Sequence, residues 1–116
     1  MLKSFYLLVV AHFVADFILQ GHFLSVKKRG LNKYMLAHTA IMALAFFLPL
    51  INYPSGKVVL GTAIILVVHA LIDAVRGEST RIFKVVPGTY LYAFSLGLDQ
   101  IAHITTLYFV FTRLII

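Results

Sequence analysis

The segment VAHFVADFILQ, residues 10–20, is an apolar run that carries one imidazole, one carboxylate and one amide. His12, Asp16 and Gln20 follow one another at intervals of four residues, so a helix places them on roughly the same face. A carboxylate inside an apolar span is energetically expensive and is by default a candidate functional residue. We therefore take this polar face as the feature around which the rest of the chain is organised.

The same spacing occurs twice more along the chain. In HALID, residues 69–73, Asp73 follows His69 by four residues, and in DQIAH, residues 99–103, His103 follows Asp99 by four. Three of the four acidic residues belong to these pairs. Such recurrence favours one shared polar site over separate, unrelated polar residues.

The composition indicates an integral membrane protein. Of the 116 residues, 61% are hydrophobic and only 12% are charged, against about 25% charged in a typical soluble domain, and the mean hydropathy is +0.97. The chain has no cysteine, which excludes disulfides, thiolate nucleophiles and Cys-ligated zinc. The net charge of +6 comes from short loops between apolar spans, so it indicates membrane topology and not a nucleic-acid partner.

The hydropathy pattern predicts an all-α, integral membrane four-helix bundle built from two helical hairpins, in one domain over residues 1–116. A span of about 20 residues crosses the hydrocarbon, and the predicted spans are about 2–20, 34–51, 57–75 and 89–115, with a polar loop over 76–88. The first and third spans both carry His-x-x-x-Asp and run in the same direction, which favours a parallel internal repeat. Gly61 and Gly97 lie inside spans, where small residues allow close helix packing.

The distribution of basic residues predicts the orientation. The loops after the first and third spans hold seven of them and the opposite side holds three, which places both loops in the cytoplasm and both termini outside a prokaryotic inner membrane. With this orientation, the intramembrane histidines and aspartates fall in one layer in the cytoplasmic half of the bundle. They are His12, Asp16, His38, His69, Asp73, Asp99 and His103.

This set of side chains suits a divalent transition metal. Imidazole with carboxylate favours Zn, Mn, Fe or Ni, whereas Mg and Ca prefer all-oxygen ligands. One ion held by some of the histidines is consistent with the set, and so is a pair of ions bridged by carboxylate. The histidines are the predicted principal ligands, and the aspartates are ligands, orienting groups or the catalytic general base. Gln20, Gln100 and Arg76 are candidate substrate-binding residues.

Three functions remain open at this point. The first is a metal-dependent hydrolase of a lipid-borne or membrane-proximal ester or phosphoester. The second is a carrier or channel for protons or divalent metals. The third is a non-catalytic phage or bacterial membrane factor whose polar layer only fixes helix assembly through hydrogen bonds. The expected partner is the lipid bilayer, the basic loop Lys27-Lys28-Arg29 suits anionic lipid headgroups, and the small bundle leaves surface for a homo-oligomer.

The motifs also suggest a family. AHFVADFILQ, then His38 early in the second span, then HALID and DQIAH resemble the small prokaryotic and phage membrane proteins called domain of unknown function 3307, over nearly the whole chain. This resemblance implies an architecture and no activity. A looser similarity to membrane proteins described as metal-dependent hydrolases, which also place His and Asp in short helices, implies a reaction class by analogy only.

Overall fold

The fold is a bundle of four helices, seen in a computed structural model that describes residues 1–19 and 33–116. Helix α1, Leu2–Phe13, continues as a π-helical segment, Val14–Leu19. Helix α2 is Lys33–Leu50, α3 is Ser55–Ile82, and α4, Tyr90–Val110, continues as a π-helical segment, Phe111–Ile115. These described ranges contain no strand, so the predicted all-α, four-helix class is confirmed.

Local chemistry explains two of the helix boundaries. Helix α4 begins after Thr89, whose hydroxyl accepts a hydrogen bond from the backbone N–H of Tyr92 at 3.3 Å, a typical N-cap. Helix α3 ends at Ile82, beyond the Val75 that was predicted, so the loop prediction is wrong for residues 76–82. Glu78 and Arg81 form an ion pair of 2.6 Å there at a spacing of three residues, and such pairs support helix.

Among the described residues, α2 and α3 are the two helices long and apolar enough to cross a membrane by length and composition. At 1.5 Å per residue, the 28 residues of α3 span about 42 Å, which exceeds the roughly 30 Å of bilayer hydrocarbon. The insertion of all four helices, the orientation and the internal repeat stay predictions.

The interior of the bundle has an apolar half, which we call the apolar layer. It lies toward the turn between α2 and α3, and each of its side chains is at most 6% exposed. Its members are Leu8, Met42, Phe46, Leu50, Ile65, Leu107, Val110, Phe111 and Ile115. The buried faces of the same helices carry histidine and aspartate in the other half of the bundle.

The two glycines inside α3 and α4 differ in their surroundings. A Cβ at Gly61 would lie 2.6 Å from Cγ1 of Ile115 and 3.3 Å from Cγ1 of Val110, so the absence of a side chain allows α3 to approach α4 closely. A Cβ at Gly97 would meet no described atom within 4 Å. The packing prediction is therefore confirmed for Gly61 and wrong for Gly97.

Candidate metal centre

Every helix contributes to one buried group of histidine and aspartate side chains, which we call the His/Asp cluster. Each of these side chains is at most 7% exposed. Helix α1 and its π-helical extension provide two of them, α2 one, and α3 and α4 two each. The members are His12, Asp16, His38, His69, Asp73, Asp99 and His103. The predicted convergence of these seven residues is thus confirmed, whereas their roles stay predictions.

The local helix geometry explains how single helices present two groups to the centre. His69 with Asp73 and Asp99 with His103 are one turn apart in α3 and α4, so each pair shares a face. In the first helix, His12 is in the α-helical part and Asp16 is in the π-helical segment. A π-helix has wider turns with i→i+5 hydrogen bonds, and such segments frequently occur at functional sites.

The cluster is centred on the ring nitrogen Nε2 of His38. This atom lies 2.8 Å from Nε2 of His69, 3.3 Å from Oδ1 of Asp16 and 3.4 Å from Oδ2 of Asp73. A ring nitrogen carries at most one hydrogen, so it cannot donate to three neighbouring atoms at once. A cation bound among these four atoms would instead interact favourably with all of them.

Asp73 connects this centre to a second one. Its Oδ2 faces His38 and His69, both at 3.4 Å, while its other oxygen, Oδ1, lies 3.4 Å from Nε2 of His103. Asp99 approaches the opposite ring nitrogen of His103, with Oδ2 at 3.5 Å from Nδ1. The Asp73 carboxylate therefore lies between two groups of potential ligands, one oxygen toward each.

His12 lies at the edge of both groups and is 1% exposed. Its ring centroid is 5.0 Å from that of His103 and 5.4 Å from that of His69. Neither of its ring nitrogens has a hydrogen-bond partner within the described part of the chain. A buried polar atom left in that condition costs free energy, which a bound metal ion would relieve.

The geometry admits three overlapping ligand sets, whose donor atoms lie within 4.8 Å of one another. They are Asp16, His38, His69 and Asp73; His12, His69 and His103; and Asp73, Asp99 and His103. The cluster can thus hold a metal ion. The His–Asp contacts also permit the simpler interpretation that the side chains pair with each other without an ion.

The predicted substrate-binding residues have different placements. Gln100 donates from Nε2 to Oδ2 of Asp99 at 2.9 Å and to Oδ2 of Asp16 at 3.4 Å, so it belongs to the edge of the cluster. Arg76 lies outside the cluster, with its guanidinium 5.5 Å from the ring centroid of Tyr92. Gln20 lies outside the described residues. Tyr92 was not predicted, since nothing in its sequence neighbourhood distinguishes it from other interfacial tyrosines.

Fold and site together define an all-α protein with a buried cluster of histidine and aspartate from four helices. The chain belongs to the family described as protein of unknown function (DUF3307), whose model matches residues 4–116. The resemblance noted from the motifs is thereby confirmed. No curated protein and no solved structure matches this chain.

Proposed function

We propose that this protein is a membrane-embedded, metal-dependent hydrolase that acts on an ester or phosphoester carried by a lipid. The observation that carries the proposal is the convergence of Asp16, His38, His69 and Asp73 on one buried point. Two imidazoles and two carboxylates form a ligand set of the kind that Zn, Mn, Fe or Ni prefers, and helix bundles build metal sites from such inward-facing groups.

Asp73 is the residue that would allow two ions. Its Oδ2 is shared with His38 and His69 and its Oδ1 with His103, so the carboxylate would bridge one ion on each side. His12 and Asp99 would complete the second site. In pairs of metal ions that catalyse hydrolysis, such bridging holds the ions close enough to act on one scissile bond.

The chemistry would be ester hydrolysis by water. The metal would supply a bound hydroxide and polarise the scissile group. The water oxygen forms a bond to the carbonyl carbon or phosphorus, the bond from that atom to the leaving oxygen breaks, and the water proton goes to the departing alcohol. With a single ion held by Asp16, His38, His69 and Asp73, the Asp99 carboxylate, which accepts a hydrogen bond from Gln100, would serve as the group that transfers this proton.

The apolar layer favours a hydrolase over a carrier. Beyond the cluster, Met42, Phe46 and Phe111 are each at most 1% exposed, and the packed side chains of that half of the bundle are apolar. A path for protons or metal ions needs polar groups or water through the membrane. The cluster would therefore be closed toward the predicted outer side of the membrane, which suits a reaction site more than a path across the bilayer.

The experiment is to measure metal content together with hydrolysis. Protein purified in detergent is analysed for bound transition metals, stripped with a chelator, and reloaded with zinc or manganese in the presence of a phosphatidic acid, which is a phosphomonoester, and a monoacylglycerol. We expect the protein to bind the metal tightly. We also expect fatty acid or phosphate to be released from the lipids only when the metal-loaded protein is present. Protein that binds no metal after reloading would show that the cluster only fixes the helices.

Membrane topology is tested by labelling single cysteines in a chain that has none. Ser55 begins α3 at the predicted outer side and Ser79 lies near its other end. A membrane-impermeant thiol reagent added to intact cells should label the Ser55→Cys variant and spare the Ser79→Cys variant. The opposite result would place the cluster near the outer leaflet, and equal labelling would contradict the predicted spans.

A further inference from the structure

An open groove of about 850 Å³ runs between α3 and α4 on the side of the bundle that faces the loop 83–89. Its walls are mostly aliphatic and include Leu71, Val75, Leu98 and Ala102. Leu71, Val75 and Leu98 are between 51% and 66% exposed, so the groove presents an accessible apolar surface. Its volume falls within the range of ligand pockets, which is about 300–1,000 Å³.

One cation interrupts this apolar surface. Arg76 lines the groove, and its Nε is buried without a hydrogen-bond partner among the described residues. Its guanidinium is held by the ring of Tyr92 at 5.5 Å, a cation–π contact that leaves its other N–H groups able to donate. A planar guanidinium matches a phosphate with two parallel hydrogen bonds.

The depth of Arg76 fits a lipid headgroup. Arg76 is 21 residues after Ser55, the first residue of α3, which corresponds to about 32 Å along the helix axis, against roughly 30 Å of bilayer hydrocarbon. In the predicted topology, with Ser55 at the outer interface, a guanidinium at that height would meet the phosphate layer of the bilayer, and the aliphatic walls below it would lie at the depth of the acyl chains.

The groove also reaches the His/Asp cluster. Asp99 contributes to the wall of the groove, and the same carboxylate contacts His103 at 3.5 Å. Asp73 precedes Arg76 by three residues on α3, which is about 4.5 Å along the axis. If a lipid phosphate is bound at Arg76, the ester that joins the acyl chain to the glycerol would therefore lie beside Asp99.

We propose that the α3–α4 groove binds a lipid phosphate, with the phosphate at Arg76 and one acyl chain between Leu71 and Leu98. The binding mode would place the acyl ester, and not the phosphate ester, beside the His/Asp cluster. That this ester is then hydrolysed rests on the proposed function. The substrate class is then a phosphate-bearing lipid with an acyl ester, and the product is a fatty acid.

Binding is tested in metal-free protein, so that turnover plays no part. The probe is an ether-linked hexadecyl glycerol phosphate, which has no acyl ester to hydrolyse, and the comparison ligands are hexadecyl glycerol without phosphate and glycerol phosphate without a chain. Affinity is measured by calorimetry in detergent. We expect the complete probe to bind at least about tenfold more tightly than either part. Hexadecyl glycerol lacks the hydrogen bonds to a charged group, which contribute roughly that factor, and glycerol phosphate lacks the apolar chain, whose burial stabilises the complex by about 0.8 kcal/mol per CH₂ group.

Matched variants locate the binding site. Arg76→Ala should weaken binding of the probe by about tenfold or more and leave hexadecyl glycerol unaffected, whereas Arg81→Ala, an exposed arginine paired with Glu78 on the same helix, should change neither. Ala102→Phe, which places a large side chain in the groove, should weaken the binding of both hexadecyl lipids. Ala43→Phe, in a smaller groove between α2 and α3, should weaken neither. Hexadecyl glycerol binding by Arg76→Ala also reports that this variant is folded.

Several outcomes would overturn the inference. Equal binding of the two hexadecyl lipids by the wild-type protein would show that phosphate is not recognised. Equal loss in Arg76→Ala and Arg81→Ala would indicate general surface charge, and binding of glycerol phosphate as tightly as the complete probe would indicate a free-anion site. Release of inorganic phosphate from the probe by the metal-loaded protein would place the phosphate, and not the acyl ester, in the His/Asp cluster. Arg76-dependent binding without any hydrolysis would instead contradict the proposed function alone.

Discussion

The His/Asp cluster and the apolar layer are successive stretches of the same buried helix faces. In α3, Gly61 and Ile65 continue, at four-residue spacing, the face that carries His69 and Asp73, and in α4 Leu107 follows His103 by one turn. The backbone is helical in both halves, with a π-helical segment in each, so the two halves differ mainly in their side chains. The apolar layer consists of closely packed apolar side chains, and the His/Asp cluster brings hydrogen-bonding and charged atoms close together.

The two halves should therefore respond differently to substitution. In the apolar layer, close packing makes the loss of volume costly. In the His/Asp cluster, a change that preserves volume but removes a charge should affect metal binding while the bundle remains folded. Substitutions in the apolar layer should therefore lower stability, and substitutions in the His/Asp cluster should lower metal affinity.

The largest effect is expected from Phe46→Ala in the apolar layer. Phe46 is 1% exposed, and truncation of a buried phenylalanine typically lowers the free energy of unfolding by about 3–5 kcal/mol. Its neighbour Phe47 is 63% exposed, so Phe47→Ala is the matched control and should change stability little. Thermal unfolding followed by circular dichroism measures both. Similar losses in the two variants would contradict the described rotation of α2.

The next effect is expected from Asp73→Ala in the His/Asp cluster. Because Asp73 contacts three histidines with its two oxygens, its loss should lower metal affinity more than the about 10- to 100-fold that follows loss of a group that only orients a ligand. Glu78→Ala removes a carboxylate from the exposed side of the same helix and is the control. The measurement is the metal content after dialysis against a chelator. If the Asp73→Ala variant retains all of its metal, Asp73 does not bridge two ions.

A smaller loss is expected from Asp99→Asn. The amide keeps the size of the carboxylate and still forms hydrogen bonds, so a purely structural network should tolerate it. If Asp99 orients His103 toward a metal, affinity should fall by about 10- to 100-fold with unchanged helicity. The same dialysis assay and circular dichroism give both quantities. A variant that keeps its full metal content would falsify the orienting role, and a variant with reduced helicity would show that Asp99 is needed for the fold.

The smallest effects come from the two glycines, and their signs should differ. Gly61→Ala gains about 1 kcal/mol of helix propensity but must displace Ile115, and overpacking costs about 1–3 kcal/mol, so we expect a net loss of stability. Gly97→Ala meets no described atom within 4 Å and should gain about 0.5–1 kcal/mol. Unfolding midpoints of the two variants measured side by side test this difference. Stabilisation by both would mean that α3 and α4 are not in close contact at Gly61.

Much of the site could be predicted because its residues form pairs that are close together in the sequence. A helix brings residues four apart onto one face whatever its surroundings, so the pairs His69 with Asp73 and Asp99 with His103 could be assigned from the sequence. The rarity of charge in an apolar span then indicated that these faces meet. The extension of α3 to Ile82 was missed because Gly77 and the charged residues after Val75 resemble a loop in composition.

The helical class, the four apolar segments and the polar faces follow from the order of residues, since each depends on interactions within a few turns of one helix. Three features depend on how the helices pack: the two oxygens of Asp73 face different histidines, Gly61 is packed while Gly97 is open, and Arg76 lies in a groove against Tyr92. These features depend on the rotation and separation of neighbouring helices, which are set by the packing of many side chains together and not by the periodicity of any one segment.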